Sequence, residues 1–542
     1  MDTNKIKFDP INKIWSGPPV TYPYGNQSVG EIVFKCMMQN LDHVCQISDD
    51  SGEIYTNERA LKEAISFANA LKAKGIEKGD KIIILMHNYH YLLPTWLGCA
   101  LAGVILCPFY FTDSSVKAEL CELIDQIKPK LMINSYLDAV EIFRSVFDQI
   151  NIECPIYIYE NQLPDCFDLK PLLENYFVNF EEFQPVKIHD PETELFVIVL
   201  SSSTTGKPKL INGTHAQLLS QTLGPFSNFV FASTMQPGWH SELILLFIIL
   251  IKSCTRVIRA HYTIDEFLMM LEKHKVQFIY IKPKDIFQMI KSEVIHKVNL
   301  DNIKIIGSIG EHMSVKMASE LQKYVRNGIV LSCYGISDVG GALTERSELK
   351  GFVHQLVGKV RKGFDFIVID HEGNRLGPNK VGELGVRTSI KFPGYYRNEK
   401  LTQESMTPDG FFLTGDLGYL DEDGNVFLIE RKKFNIPYQG KLLNQGDVER
   451  IVLENVKGIS AVCVVDVESD QHGMIPYIAV IPEKGVSLSE SIIIETVMKH
   501  HPFEFETKVF FFNSLPMTIS AKFKKHLVRA MIMKKMNDES QN

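Results

Sequence analysis

An alternation constrains this chain most: through its first four-fifths, short apolar runs trade places with amphipathic helical patterns. The runs lie at 81–85, 104–107, 131–134, 155–159, 195–200, 256–258, 278–281, 303–306 and 329–333, with helical spacing between them, as at 58–72 and 315–324. Such runs fit buried strands, and strands that alternate with helices build parallel sheets with covered faces. From about Val353 the texture changes to short strands punctuated by turn residues. The runs 366–370 and 418–421 precede His371, Glu372, Gly373, Asn374 and Glu422, Asp423, Gly424, Asn425, which read as hairpin turns. After the charged stretch Glu430, Arg431, Lys432, Lys433 comes a segment with its own pattern: a helix at 448–454, strands at 461–465 and 477–481, a helix at 489–499 and a strand at 509–512. It is long enough to hold a small core of its own. The expected fold is therefore α/β. A large N-terminal domain, 1–430, combines packed α/β layers with a β-rich subdomain, and a small α+β domain covers 434–542, with a boundary at 430–433.

Composition excludes several classes. A chain of 542 residues with 45% hydrophobic and 23% charged residues is neither disordered nor fibrous, and its length implies two or more domains. A net charge of -8 leaves no basic excess for a phosphodiester backbone, so nucleic acid is not expected as a partner. The ten cysteines are scattered singly with no CxxC pair, which fits reduced thiols rather than a disulfide framework or a zinc site. No apolar leader opens the sequence, and no CaaX, KDEL or SKL motif closes it, so an intracellular, cytoplasmic protein is expected. Residues 91–111 carry no charge and have the length of a membrane span. Pro94, Thr95, Gly98, Gly103 and Pro108 interrupt them, which predicts a buried helix ending near Gly103 and then a core strand, not a transmembrane segment.

The window at 195–217 carries the most chemistry. A buried strand runs into five hydroxyl residues, Ser201, Ser202, Ser203, Thr204 and Thr205, then Gly206, Lys207, Pro208 and Lys209, and then a capping-box pattern from Thr214 to Gln217. Hydroxyl donors, backbone N–H groups and ammonium groups in one loop suit phosphate oxygens. Pro208 follows Lys207 and no glycine stands five residues before Gly206, so this is not a Walker A loop. A polar solvated turn is the alternative.

The window resembles the phosphate loop of the adenylate-forming superfamily, which includes acyl-CoA synthetases, coumarate-CoA ligases and beetle luciferases. Further motifs follow in that superfamily's order: Tyr334, Gly335, Ile336, Ser337, Asp338; then Gly394 and Tyr395; then 409–416, ending in Asp416; then 430–433 and Gly440; and finally Pro516, Met517 and Thr518 before Lys522. The resemblance implies ATP, Mg²⁺ and CoA as cofactors and a fatty or aromatic carboxylic acid as substrate. It implies that Thr204, Thr205, Gly206 and Lys209 hold phosphates, that Ser337 reaches the α-phosphate, and that Asp338 faces Mg²⁺ as a hard oxygen ligand. Tyr334 offers a face to adenine, with Gly310 letting backbone approach the base. Asp416, which ends a strand-like run, takes the ribose hydroxyls together with Arg431. Lys522 enters the site when the small mobile domain closes about the hinge, and His240 lines the acyl site beside the reacting carboxylate. The resemblance also leaves a peroxisomal location open.

Several positions depart from the pattern. Ser203 stands in place of a glycine, and so do Leu210, after the loop lysine, and Ala521, before Lys522. Asp338 replaces a glutamate and is one methylene shorter. Ile309, Gly310, Glu311 and His312 stand where the superfamily has Gly-Gly-Ala-Pro, and Pro437 replaces the lysine of its second step. The expected activity is an acid–thiol ligase. A catalytically weakened relative that binds nucleotide or acyl ligand, and a luciferase-like oxygenase on the same adenylate, are the alternatives.

Overall fold

The computed structural model describes the chain except residues 1–4, 21, 111–116, 162, 201–208, 223–226, 311–312, 346–352, 354, 439–440, 470–472, 518–522 and 541–542. The chain divides into two compact units. The larger holds the described residues of 1–201, 209–414 and 419–428; the smaller holds 415–418 and those from 429 onward.

Two seven-stranded sheets of the larger unit carry the alternation. In the first, the order is Leu210–Thr214, Leu195–Leu200, Ile105–Pro108, Lys81–Leu85, Leu131–Asn134, Ile156–Ile158, Phe167–Asp168. Its strands run parallel except for Leu210–Thr214, which folds back antiparallel on Leu195–Leu200. The second has the order Ile329–Ser332, Ile305–Ser308, Phe278–Ile281, Val230–Ser233, Thr255–Ile258, Val44–Ser48, Ile54–Thr56, parallel but for the last strand. Each apolar run read from the sequence lies on one of these strands, shifted by a residue or two at some ends. A third sheet, of eight strands, gathers the β-rich region: Phe364–Ile369 and Gly382–Thr388 pair as an antiparallel hairpin, and Phe412–Leu420 and Asn425–Arg431 are neighbours. Two strands from the N-terminus, Lys7–Asp9 and Ile14–Ser16, complete its edge through Ile14–Ser16 on Phe364–Ile369.

The uncharged stretch shows how local chemistry sets an element. Helix Leu92–Ala102 is buried along its length and stops at Gly103, whose φ of 68° is a left-handed value that glycine enters without a Cβ clash. The strand Ile105–Pro108 follows. Helix Asn57–Ala73 packs against it: a Cβ at Gly98 would come 2.7 Å from the Ala64 carbonyl oxygen, so glycine there sets how close the two helices lie. Trp96 and Phe67 are fully buried nearby. Among the described residues, no helix is long and apolar enough to cross a membrane.

The smaller unit has its own core. Ile459–Ser469 and Gly473–Pro482 form an antiparallel pair, and Lys508–Phe511 adds parallel to the latter. Helices Gln445–Asn455, Glu490–His500 and Lys525–Ser540 accompany the sheet, and Val448, Val464, Ile478, Val497 and Val528 are buried together.

Candidate functional site

Thr204, Thr205 and Gly206 lie outside the described residues, as does Ser203; Lys209 is the first described residue after them. It precedes the antiparallel edge strand, to which a second segment is stitched. The Tyr396 N–H donates to the Leu210 carbonyl at 2.8 Å, the Asn212 N–H to the Gly394 carbonyl at 3.2 Å, and the Asn212 side-chain amide to the Pro393 carbonyl at 3.1 Å. Tyr395 is thereby brought to Lys209, whose ammonium stands 4.8 Å from the centre of the tyrosine ring. The phenol of Tyr395 donates to Asp338 Oδ1 at 2.6 Å.

Asp338 sits with Ser337 on the short turn Ser337–Val339, which follows the strand Gly335–Ile336 and ends at Gly340 with φ 87°. A Cβ at Gly340 would lie 3.2 Å from Gln217, and Gln217 is held by reciprocal capping bonds with Thr214 at the start of helix His215–Gln221. The turn is therefore packed on the element that follows the lysine loop. Lys209, Tyr395 and Asp338 form one constellation of cation, phenol and carboxylate. Tyr395 enters the sequence reading only as part of a Gly-Tyr motif. Its bond to a carboxylate 57 positions away is made by the tertiary fold.

Tyr395 engages Asp338 through Oδ1, and the carboxylate is the kind of hard oxygen ligand that Mg²⁺ takes. Among the described residues no group of three or more metal-ligating side chains stands together, at Asp338 or elsewhere, so a cation here would rest on this one carboxylate and on non-protein oxygens. This donor set fits Mg²⁺, which takes one or two carboxylates and completes its shell with water and phosphate oxygens.

Around the adenine and acyl candidates the packing is tight. Tyr334 is buried, and its carbonyl accepts the Leu343 N–H at 2.9 Å. Gly310 has φ 95°, and a Cβ there would come 3.1 Å from the Trp239 ring. The close approach that this glycine permits within the chain is thus to the indole. The ammonium of Lys282 lies 4.7 Å from the centre of the same indole. His240 opens helix His240–Ile251, and burial pushes its imidazole down to about 4, so it is neutral at pH 7. Its Nδ1 is buried without a hydrogen-bond partner among the described residues. Gly213, on the edge strand, would bring a Cβ to 3.9 Å from its Nε2.

Within the smaller unit, Arg431 Nε lies 2.7 Å from Asp416 Oδ1. Asp416 does not end its strand, as the sequence suggested. It occupies the middle of Phe412–Leu420, in the buried phase of an alternating pattern, and its side chain is 4% exposed. A carboxylate in that phase needs a partner, and Arg431 supplies one. Lys522, Ala521, Glu311 and His312 lie outside the described residues. Leu210 is buried, so this departure places an apolar side chain in the core. Pro437 lies in the strand Asn435–Tyr438, opposite Leu442 of Lys441–Asn444.

Residues 34–396 match the family described as AMP-binding enzyme. The chain is 25% identical over 519 residues to 4-coumarate–CoA ligase 1 of Petroselinum crispum, covering 91% of each protein. It is 23% identical over 497 residues to luciferin 4-monooxygenase of Photuris pensylvanica, covering 88% of this chain and 90% of that one. Among solved structures, ATP-bound MatB from Rhodopseudomonas palustris superimposes with a TM-score of 0.78 at 20% identity, over 93% of this chain and 99% of the other.

Proposed function

Since the chain belongs to the AMP-binding enzyme family, we propose that it is an ATP-dependent acid–thiol ligase that joins a carboxylic acid to CoA through an acyl-adenylate. The observation that carries this reading is the meeting of Lys209, Tyr395 and Asp338. In the first step a carboxylate oxygen bonds to the α-phosphorus of ATP and the bond to pyrophosphate breaks. Negative charge gathers on phosphoryl oxygens, so positioned cations and donors do most of the work. Lys209 and the hydroxyls of Thr204 and Thr205, with the backbone at Gly206, hold phosphates, and Ser337 donates to the α-phosphate. Asp338 holds Mg²⁺, which neutralises phosphate charge when bound.

Tyr334 and Gly310 border the adenine. Asp416 accepts from the ribose hydroxyls while Arg431 balances its charge. His240, neutral at pH 7, stands beside the reacting carboxylate without repelling or trapping it. Lys522 belongs to a mobile domain, 434–542, that turns about 430–433 and brings its ammonium to the reacting phosphate. In the second step the CoA sulfur bonds to the acyl carbon and AMP leaves. Pro437 has neither a side-chain charge nor an N–H to offer there, so thiolation is the slower half and acyl-adenylate accumulates on the protein. The luciferase-like alternative rests on the likeness to luciferin 4-monooxygenase and predicts light with luciferin.

The test is a panel of fatty and aromatic acids with ATP, Mg²⁺ and CoA, read by mass spectrometry. AMP and an acyl-CoA formed together support the ligase. Adenylate without thioester, even at long times, assigns the chain to the weakened class. No acid-dependent turnover refutes the reading.

A further inference from the structure

The turn that carries Ser337 and Asp338 joins two short antiparallel strands, Gly335–Ile336 and Gly341–Ala342. Tyr334 stands at the base of this hairpin, where its carbonyl accepts the Leu343 N–H. The side chains assigned to adenine, α-phosphate and cation therefore ride on one small hairpin. Isolated two-stranded hairpins are marginal in water, so this one takes its position from what it is tied to.

Ties are made at both ends. At the tip the Tyr395 phenol engages Asp338. At the base Arg361 Nη1 donates to the Ala342 carbonyl at 3.0 Å and also to Gln221 Oε1. Its Nη2 lies 3.4 Å from the Ser220 carbonyl and 3.5 Å from that of Gln221. Both carbonyls belong to the last turn of helix His215–Gln221, where a helix end is short of donors. The same helix packs on the hairpin directly, since a Cβ at Gly341 would come 3.4 Å from the Gln221 side chain.

Arg361 follows the strand Leu356–Val360, and its own carbonyl accepts the Phe364 N–H at 3.1 Å, so the guanidinium is presented from a closed turn. All of these acceptors are neutral. The donors are thus spent on joining two elements rather than on pairing a charge, and only a planar fork of several N–H groups reaches both elements at once.

Resting on the ligase reading for the roles of the hairpin residues, we propose that Arg361 is a positioning residue for the nucleotide. It clasps the base of the hairpin to the helix that follows the Lys209 strand, and so sets where Ser337 and Asp338 stand relative to Lys209. It acts through Ala342 and Gln221, not by touching phosphate or cation.

The experiment measures binding of ATP with Mg²⁺, without acid, by calorimetry. Acid-dependent pyrophosphate exchange then gives half-saturation for MgATP and for the acid separately. Arg361→Met keeps the stem and removes the donors. It weakens MgATP binding and raises MgATP half-saturation by about ten- to a hundredfold, the scale of a displacement of about 1 Å, while half-saturation for the acid stays within about threefold. Arg361→Lys still offers the Ala342 carbonyl a donor and recovers part of the loss. Gln221→Leu removes only the acceptor on the helix side; it weakens MgATP binding several-fold and carries the test if Arg361→Met does not fold.

Unchanged MgATP binding in a folded Arg361→Met or in Gln221→Leu overturns the proposal and leaves the ligase reading standing. Equal rises in half-saturation for MgATP and acid do the same, because general loosening moves both, and so does a lysine variant no better than the methionine one. MgATP binding that weakens in the clasp variants, with no exchange for any acid, overturns the ligase reading and upholds the clasp.

Discussion

Tyr395 carries the most information at the scale of single residues, because it touches both charged members of the constellation. Its phenol donates to Asp338 and its ring lies under the Lys209 ammonium. The shorter reach of aspartate is offset if its carboxylate is held in one orientation, and the phenol holds it. Tyr395→Phe therefore raises the Mg²⁺ concentration needed for half-maximal pyrophosphate release by about three- to tenfold, as expected for losing one charge-assisted hydrogen bond. The protein's melting temperature moves little, because the ring stays packed. An unchanged Mg²⁺ titration would make the bond structural only. Lys209 and Asp338 were legible as motif members. Their meeting through Tyr395 was not, since no spacing rule links the three segments. The buried ion pair of Arg256 with Glu242 left a fainter signal in the sequence: a charge at the head of an otherwise apolar strand, and another at the head of an apolar helix.

That pair ties two elements together, and its worth is best measured at the element scale. Glu242 belongs to helix His240–Ile251 and Arg256 to strand Thr255–Ile258. Arg256→Met alone strands a buried carboxylate and costs about 3–5 kcal/mol, seen as a large fall in melting temperature. Adding Glu242→Leu restores most of the loss, because replacing both charges by apolar groups is often near neutral. Equal destabilisation by the single and double variants would contradict this account.

A second tie is His215, whose Nδ1 accepts the Val29 N–H at 3.1 Å at the start of helix Val29–Met38. Protonation would set one donor against another. Burial holds His215 and His240 at about 4, below the ordinary 6.5, so the unfolded chain binds more protons than the folded one between those values. Stability is fully present above pH 6.5 and falls as pH drops toward 4, by about 3 kcal/mol for each imidazole. His215→Asn flattens the part of that loss belonging to His215, as urea titrations across this range would show.

Over the whole molecule, the alternation of apolar runs and helices was enough to read parallel α/β layers, because strands buried on both faces are apolar throughout. The β-rich region was legible from its turn residues. What escaped was long-range closure: Lys7–Asp9 and Ile14–Ser16 are too short to show a period, and they find their place only by pairing with Phe364–Ile369, far along the chain. The edge strand Leu210–Thr214 escaped for another reason, since its polar Asn212 and its Gly213 read as a continuation of the loop.

What must hold for the molecule as a whole is that it activates a carboxylic acid as its adenylate and that Lys522 serves that step. Acid-dependent exchange of labelled pyrophosphate into ATP, without CoA, tests this most directly. The account predicts exchange in the wild-type protein with at least one carboxylic acid, and a fall of about a hundredfold or more in Lys522→Ala with the fold intact. No exchange with any acid, or the same exchange in the variant as in the wild type, would contradict it.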